Sequence, residues 1–414
     1  MKIVHFSWEY PPVIYGGLGT FATEISKKQV EFDHDVTVFS LNKDNAVSIF
    51  DQIDGVEVYR PKTLEMSKPF YLCTDHELRS WGPYFKFFAD VLSYNIMSAS
   101  KLVNGLVRKN GRTFDIVDAH DWLGIMAGMV AKKELNLPLI FHVHSTEVGR
   151  SVGRGSHTIK DIEYEGGQVA DCVITVSNAM ADELLKLGFP QNKIRSCWNG
   201  VDPTKYDPAR VSDAERLAVR HNYGVQDHEN LLFFIGRLVT VKGIDKLVQA
   251  MPLVLKEFPN TKLLILGIGD MENELRSLAD GLGIHDKVIM RTEFIREQER
   301  IRHYAASDVV VLPSLYEPFG IVCTEALSMQ KPTVVGARGT NGMREQVVPS
   351  GEKQCGIHIN PFEPKDIAWG IIQVLQSPDK GMQWGKNGRQ RVLGEFNWDA
   401  VTKRTLAIYK EFKR

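Results

Sequence analysis

No charge of one sign dominates this chain. Its 50 lysines and arginines stand against 51 aspartates and glutamates, a formal net charge of −1. There is no bulk electrostatic case for nucleic acid or an anionic membrane, although a local basic pocket stays open. Cysteine is scarce. Cys73, Cys172, Cys197, Cys323 and Cys355 are odd in number and no two form a CxxC. That argues against a disulfide framework and a zinc ribbon, and fits a reducing compartment. No window approaches the ~20 apolar residues of a membrane helix, so no membrane insertion is expected. The opening, Met1 to Glu9, turns polar too soon for a signal-peptide core, and a cytoplasmic location is expected. Low-complexity segments and visible sequence repeats are also missing.

What is there is an ordinary globular composition. Hydrophobic residues make up 43% and charged residues 24% of 414 positions, enough for two to three domains at ~150 residues each. Short, β-branched apolar runs occur at 2–6, 35–39, 55–59, 114–118, 137–144 and 172–176. Segments with helical spacing lie between them, which indicates a parallel sheet covered on both faces. The pattern restarts with strands at 230–235, 261–267, 287–290, 309–312 and 332–335 and helices at 244–258 and 272–281. The fold class is therefore α/β, with two Rossmann-like doubly wound domains. Residues 1–202 form the first and 203–395 the second, with a polar linker running to about residue 230. Residues 396–414 hold a final amphipathic helix. Two such domains hold ligands between them, at the carboxyl ends of their strands.

Four motifs stand out. Tyr15-Gly16-Gly17-Leu18-Gly19 opens the first helix. It reads as an anion site at a helix start or as a plain turn. Gly236-Arg237-Leu238 with Lys242-Gly243 puts two cations on one turn. They converge on a diphosphate, or they are solvated surface charges. Glu317-Pro318-Phe319-Gly320-Ile321-Val322-Cys323-Thr324-Glu325 brings two carboxylates to a helix start. These take sugar hydroxyls while the Gly320 and Ile321 amides take a phosphate oxygen. The bland alternatives are a loop acid and a helix-dipole carboxylate. Phe141-His142-Val143-His144 sets two histidines on one strand face. Without convincing further ligands, no metal site is expected there. Gly267-Ile268-Gly269 is a weak GxG on the nucleotide side. Trp81 and Tyr84 belong to an aromatic stretch that is an acceptor platform or core packing. The Gly- and Arg-rich segment 149–157 reads as a mobile loop.

Together, in this order, these motifs resemble the retaining glycosyltransferases of the GT-B fold, in particular the glycogen and starch synthase group. The resemblance runs over the whole chain. It rests on Trp8-Glu9-Tyr10-Pro11-Pro12 with Gly16-Gly17, on His120-Asp121-Trp122, on Phe396-Asn397-Trp398, and most specifically on the E-x7-E element from Glu317 to Glu325. It implies that Arg237 and Lys242 hold the donor diphosphate and that Glu317 faces the transferred sugar. It implies that Glu325 holds the ribose, that His144 contacts the sugar, that Gly17 gives an amide to the donor and that Asp121 supports the site. Gly16, Gly267, Phe319, Gly320, Ile321 and Val322 join the donor-binding set. No cofactor and no metal are implied, since the nucleotide sugar is a substrate and two cations stand where other transferases use a metal. The final helix of this fold crosses back to the first domain. Two positions depart from the group: Ile14 stands where many bacterial members have Lys, and Thr340-Asn341-Gly342 replaces Thr-Gly-Gly.

The expected activity is retaining transfer of a hexose, glucose from UDP- or ADP-glucose, to an α-glucan. The alternative is transfer to a sugar phosphate, a lipid or another small acceptor. A silent glycan-binding protein is disfavoured by the intact Arg237, Lys242, Glu317 and Glu325. A nicotinamide dehydrogenase is disfavoured because neither half has a clean GxGxxG after its first strand. The partners are a nucleotide sugar and a sugar acceptor, with no nucleic acid. The donor base, the acceptor and the oligomeric state are open.

Overall fold

The computed structural model describes residues 1–413. The chain forms two compact units. Met1–Val176, Ala181–Cys197 and the segment from Val401 onward make the first, and Ser177–Met180 with Trp198–Ala400 make the second.

The first unit is built on β1 (Lys2–Phe6), β2 (Asp35–Phe39), β3 (Phe50–Ile53), β4 (Val56–Tyr59), β5 (Ile116–His120), β6 (Leu139–Val143), β7 (Cys172–Thr175) and β8 (Ile194–Ser196). They lie in the order β3-β4-β2-β1-β5-β6-β7-β8. β3 runs antiparallel to β4, and the other neighbours pair in parallel. β5 and β6 are buried at every position, as strands covered on both faces must be. An aromatic cluster of Trp8, Phe85, Phe88, Tyr94 and Trp122 packs beside them.

The second unit is built on β9 (Asn230–Ile235), β10 (Thr261–Leu266), β11 (Val288–Arg291), β12 (Val309–Leu312), β13 (Thr333–Gly336) and β14 (Gly356–Ile359). Their order is β11-β10-β9-β12-β13-β14, all parallel. Leu232, Phe234, Leu263 and Val311 of the sheet pack with Leu247 and Met251 of the helix Ile244–Glu257 and with Ile367 and Ile371 of the helix Pro364–Leu375. In both sheets the strand order reverses beside the first strand, between β1 and β5 and between β9 and β12. The carboxyl ends at such a point are where ligands bind.

Two expectations are corrected. The polar stretch before residue 230 is not a bare linker. It contains a helix, Asp213–Asn222, opened by a reciprocal capping box between Ser212 and Glu215. Arg220 of that helix is buried, donating to the Ala306 carbonyl at 2.9 Å and to Asp308 at 3.1 Å. The segment 149–157 is tied down. Ser156 N donates to Glu147 at 3.0 Å, and Arg150 pairs with Glu163 at 3.2 Å. The units divide at Cys197 and Trp198, and the final helix, Trp398–Phe412, is shared: Trp398 packs on Gly200 of the second unit, while residues from Val401 belong to the first. Among the described residues no helix is long and apolar enough to cross a membrane.

Candidate functional site

In the second unit the chain leaves β9 through Gly236 and Arg237 and turns at Thr240–Lys242. Gly243 follows with φ 65°, and a Cβ there would sit 2.2 Å from the Pro313 carbonyl. Only glycine meets both demands, so the Lys242 turn presses against the segment that leaves β12. Leu315 N donates to the Val241 carbonyl at 2.8 Å, locking the two together. The Lys242 ammonium then reaches the Glu317 carboxylate in a short, mostly buried ion pair. Arg237 is exposed and pairs with no carboxylate among the described residues. Gly320, at φ 89°, starts the helix Ile321–Ser328. The Ile321 and Val322 amides belong to the first turn, where no intrahelical carbonyl serves them.

Other expected donor-side residues do different work. The Phe319 side chain is 2% exposed and lies tilted against Phe396, with ring centroids 6.2 Å apart, so it packs in the core. Gly267 is a packing glycine: a Cβ there would fall 1.8 Å from the Gly236 carbonyl, so its small size lets the turns after β9 and β10 meet. Glu325 is buried, and both its oxygens are engaged. Tyr206 donates at 2.8 Å, Tyr304 at 2.7 Å, and Arg300 pairs at 3.2 Å. Burial, then the Glu325 charge, raises both tyrosine hydroxyls above their ordinary range. In this arrangement the carboxylate anchors Tyr206, Tyr304 and Arg300.

In the first unit Glu9 folds over the glycine loop and accepts from Tyr15 N at 2.8 Å and Gly16 N at 3.0 Å. The Gly16 amide is thus held by the protein's own carboxylate. Gly17 is the first residue of the helix Gly17–Glu31. Asp121 accepts from the backbone of His144 at 2.7 Å and of Ser145 at 3.3 Å, fixing the turn after β6. Burial raises its carboxyl, and the nearby Arg150 charge opposes this.

His144 does not act alone. Its Nε2 lies 3.1 Å from His120 Nδ1, and His120 Nε2 lies 3.0 Å from His5 Nδ1. His5 Nε2 in turn meets Gln29 Oε1 at 2.8 Å. His142, stacked on His144 at 4.6 Å, bonds Asp118 at 3.3 Å. Nitrogens of His120, His142 and His144 fall within 4.8 Å of one another, as metal ligands do. The His142 and His144 rings are parallel to within 4°, so their in-plane lone pairs do not converge on one point. Sequence reasoning missed His5 and Gln29 because they reach His144 only through the β1-β5-β6 order.

Trp81 is half-buried and packs edge-on to Phe88 at 5.3 Å, while Tyr84 is 75% exposed. Neither lines the cavity of about 600 Å³ in this unit, which Trp8, Tyr15, Asn42, Lys43, Lys86 and Phe87 help to form.

Residues 15–205 match the model of Glycosyltransferase Family 4, and residues 216–391 that of Glycosyl transferases group 1. The uncharacterized glycosyltransferase MJ1607 of Methanocaldococcus jannaschii is 33% identical over 99% of this chain and 98% of its own. The chain is a glycosyltransferase. The transferase is also 27% identical to the glycogen synthase of Mycobacterium tuberculosis, over 100% of this chain and 95% of that one. Its fold is GT-B. The sucrose-phosphate synthase of Thermosynechococcus elongatus superposes with a TM-score of 0.78 at 22% identity, over 99% of this chain and 98% of that one. A glycosyltransferase of this kind uses a nucleotide sugar. The transferase's departure at Asn341 has a structural reason: its buried amide donates to the Ser314 carbonyl at 2.8 Å and accepts from Met343 N at 3.2 Å. Beside it Glu317 N donates to the Thr340 carbonyl at 3.0 Å, so Asn341 pins the loop that carries Glu317.

Proposed function

We propose that the transferase moves a glucosyl unit from UDP- or ADP-glucose to an α-glucan, with retention and without a metal. The observation that carries this reading is the Lys242–Glu317 pair with the exposed Arg237 on the same turn. An Arg fork and a Lys point charge suit a departing diphosphate, and the first-turn amides of Ile321 and Val322 suit one of its oxygens. Glu317 faces the transferred sugar and keeps Lys242 aimed. The bond from the anomeric carbon to the phosphate oxygen breaks as the bond to the acceptor oxygen forms on the same face. The acceptor's proton passes to the leaving phosphate oxygen. Catalysis is then positioning plus charge stabilisation, with His144 bonded to the sugar and Asp121 fixing its turn.

An uncharged acceptor is supported by the first unit's cavity. Glu9, Asp44, Glu65 and Asp90 line it against Lys43 and Lys86, and the exposed Phe87 offers an aromatic surface. Such a surface stacks on sugar rings and repels phosphate. The second reading, transfer to a sugar phosphate, a lipid or another small acceptor, is favoured by the departures Ile14 and Asn341. Labelled UDP-glucose and ADP-glucose, offered separately with glycogen or glucose 1-phosphate, test the two. Label in polymer is the expected result. Label in a small product alone discards the glucan.

A further inference from the structure

The bonds from Gln29 to His144 form one buried chain whose polarity can be worked out. Gln29, His5 and His120 are at most 1% exposed. The Gln29 amide presents its oxygen, not its nitrogen, to His5 Nε2 at 2.8 Å, and its buried nitrogen has no hydrogen-bond partner among the described residues. Tyr409, whose hydroxyl donates to Asp118, lies beside Gln29. His5 must carry its proton on Nε2 to donate there, which leaves Nδ1 bare. His120 must then carry Nε2–H to donate to His5, and its own Nδ1 is bare. His144 in turn must carry Nε2–H to donate to His120. Neutral imidazole has one donor and one acceptor, so each assignment forces the next. Burial holds His5, His120 and His144 below the usual imidazole range, and His120 is pushed down to about 3, against the pull of Asp118.

We propose that Gln29, His5 and His120 are positioning residues that fix His144 as the Nε2–H tautomer, with a bare Nδ1 that accepts a hydroxyl proton of the transferred sugar. His144 Nδ1 has no hydrogen-bond partner among the described residues, and the residue is half-buried just past the end of β6. His144 is thus an acceptor and not a general acid. A donor sugar lacking the hydroxyl leaves a sheltered acceptor unpaired, which costs about 10- to 100-fold in kcat/KM. This inference rests on the sugar-contact reading of His144 given above.

Long-range ¹H–¹⁵N imidazole spectra of the full chain test it directly, with His144 assigned by loss of its signals in His144→Gln. A neutral His144 with the proton on Nε2 at pH 7 is expected. A proton on Nδ1, or an imidazolium, overturns the proposal. His120→Leu removes the acceptor that His144 needs, and should mix the His144 tautomers and lower kcat by about 10-fold with donor KM unchanged. His120→Asn keeps an acceptor near the Nδ1 position and should restore the single tautomer and most of kcat. Equal activity of the Leu and Asn variants overturns the relay. The spectrum of the unaltered protein decides the matter even if the Leu variant does not fold. A correct tautomer without turnover of UDP- or ADP-glucose would refute the proposed donor and leave the relay standing.

Discussion

Acid should loosen the first unit through its buried histidines. An unfolded histidine takes a proton near pH 6.5, whereas folded His120 takes one only near about 3. His5 and His144 are lowered too, by burial. Between those values the unfolded chain binds more protons than the folded one, so stability falls as pH falls. One such group contributes at most ~1.4 kcal/mol per pH unit, and three contribute at most ~4 kcal/mol per pH unit. Glu163 works the other way. Burial pushes it up to about 7, so the folded state binds the extra proton and this contribution opposes acid loss by up to ~1.4 kcal/mol per unit. Asp121, raised by burial, adds to that opposition. Asp118 is held below the usual carboxylate range by His120 and His142 despite its burial, and its contribution is lost only at lower pH. The net slope from pH 6.5 to 5 is therefore ~1 to 3 kcal/mol per unit. Urea titrations at pH 7.5, 6.5 and 5.5, read by ¹⁹F NMR of 5-fluorotryptophan at Trp8 and Trp122, measure it. His120→Asn removes one titrating group and should flatten the slope. An identical slope in that variant, or a flat wild-type profile, refutes the reasoning.

Lys242→Ala should lower kcat by about 10²- to 10³-fold, the usual loss when one donor to a developing oxyanion is removed, as steady-state donor turnover will show. Glu325→Gln leaves Arg300 only the more exposed Glu297, 3.7 Å away, and should cost ~1 to 3 kcal/mol in urea unfolding while donor KM stays within a few-fold. A KM rise above ten-fold would instead make Glu325 a donor ligand. Asn341→Gly restores the glycine of the related synthases but removes two buried hydrogen bonds, a loss of ~1 to 3 kcal/mol with a fall in kcat as the Glu317 loop loosens. Phe87→Ala should raise acceptor KM, and Tyr84→Ala should not, because Phe87 lines the cavity and Tyr84 does not.

Much of the fold was legible in the sequence, and for a physical reason. Strands buried on both faces, such as Asn230–Ile235 and Val309–Leu312, are continuous apolar runs that end where the sheet ends. β3 was missed because it is half exposed and carries Asp51 and Gln52. The two-residue turn Asp54-Gly55, at φ 50° and 81°, was the hairpin signal that could have found it. The helix Asp213–Asn222 was missed although Ser212 and Glu215 spell a capping box. Among site residues, Lys242 and Glu317 were each legible as charges following a strand, but their pairing was not, since it needs β9 and β12 to lie side by side. Glu325 was legible as a helix-start carboxylate but not as an internal anchor. Its partner Tyr206 lies 119 positions away, and nothing local encodes that contact. The histidine chain was invisible for the same reason: His5, His120 and His144 look isolated until β1, β5 and β6 lie side by side.

Retaining glucosyl transfer to a glucan is tested most directly by following the anomeric protons during turnover. The transferase would be mixed with UDP-glucose or ADP-glucose and a maltooligosaccharide, and ¹H NMR would record donor loss and the new linkage before any equilibration. The account predicts α-anomeric signals of the lengthened chain appearing as fast as the donor disappears. A β-linked product, or an oligosaccharide unchanged while the nucleotide is released, would contradict it.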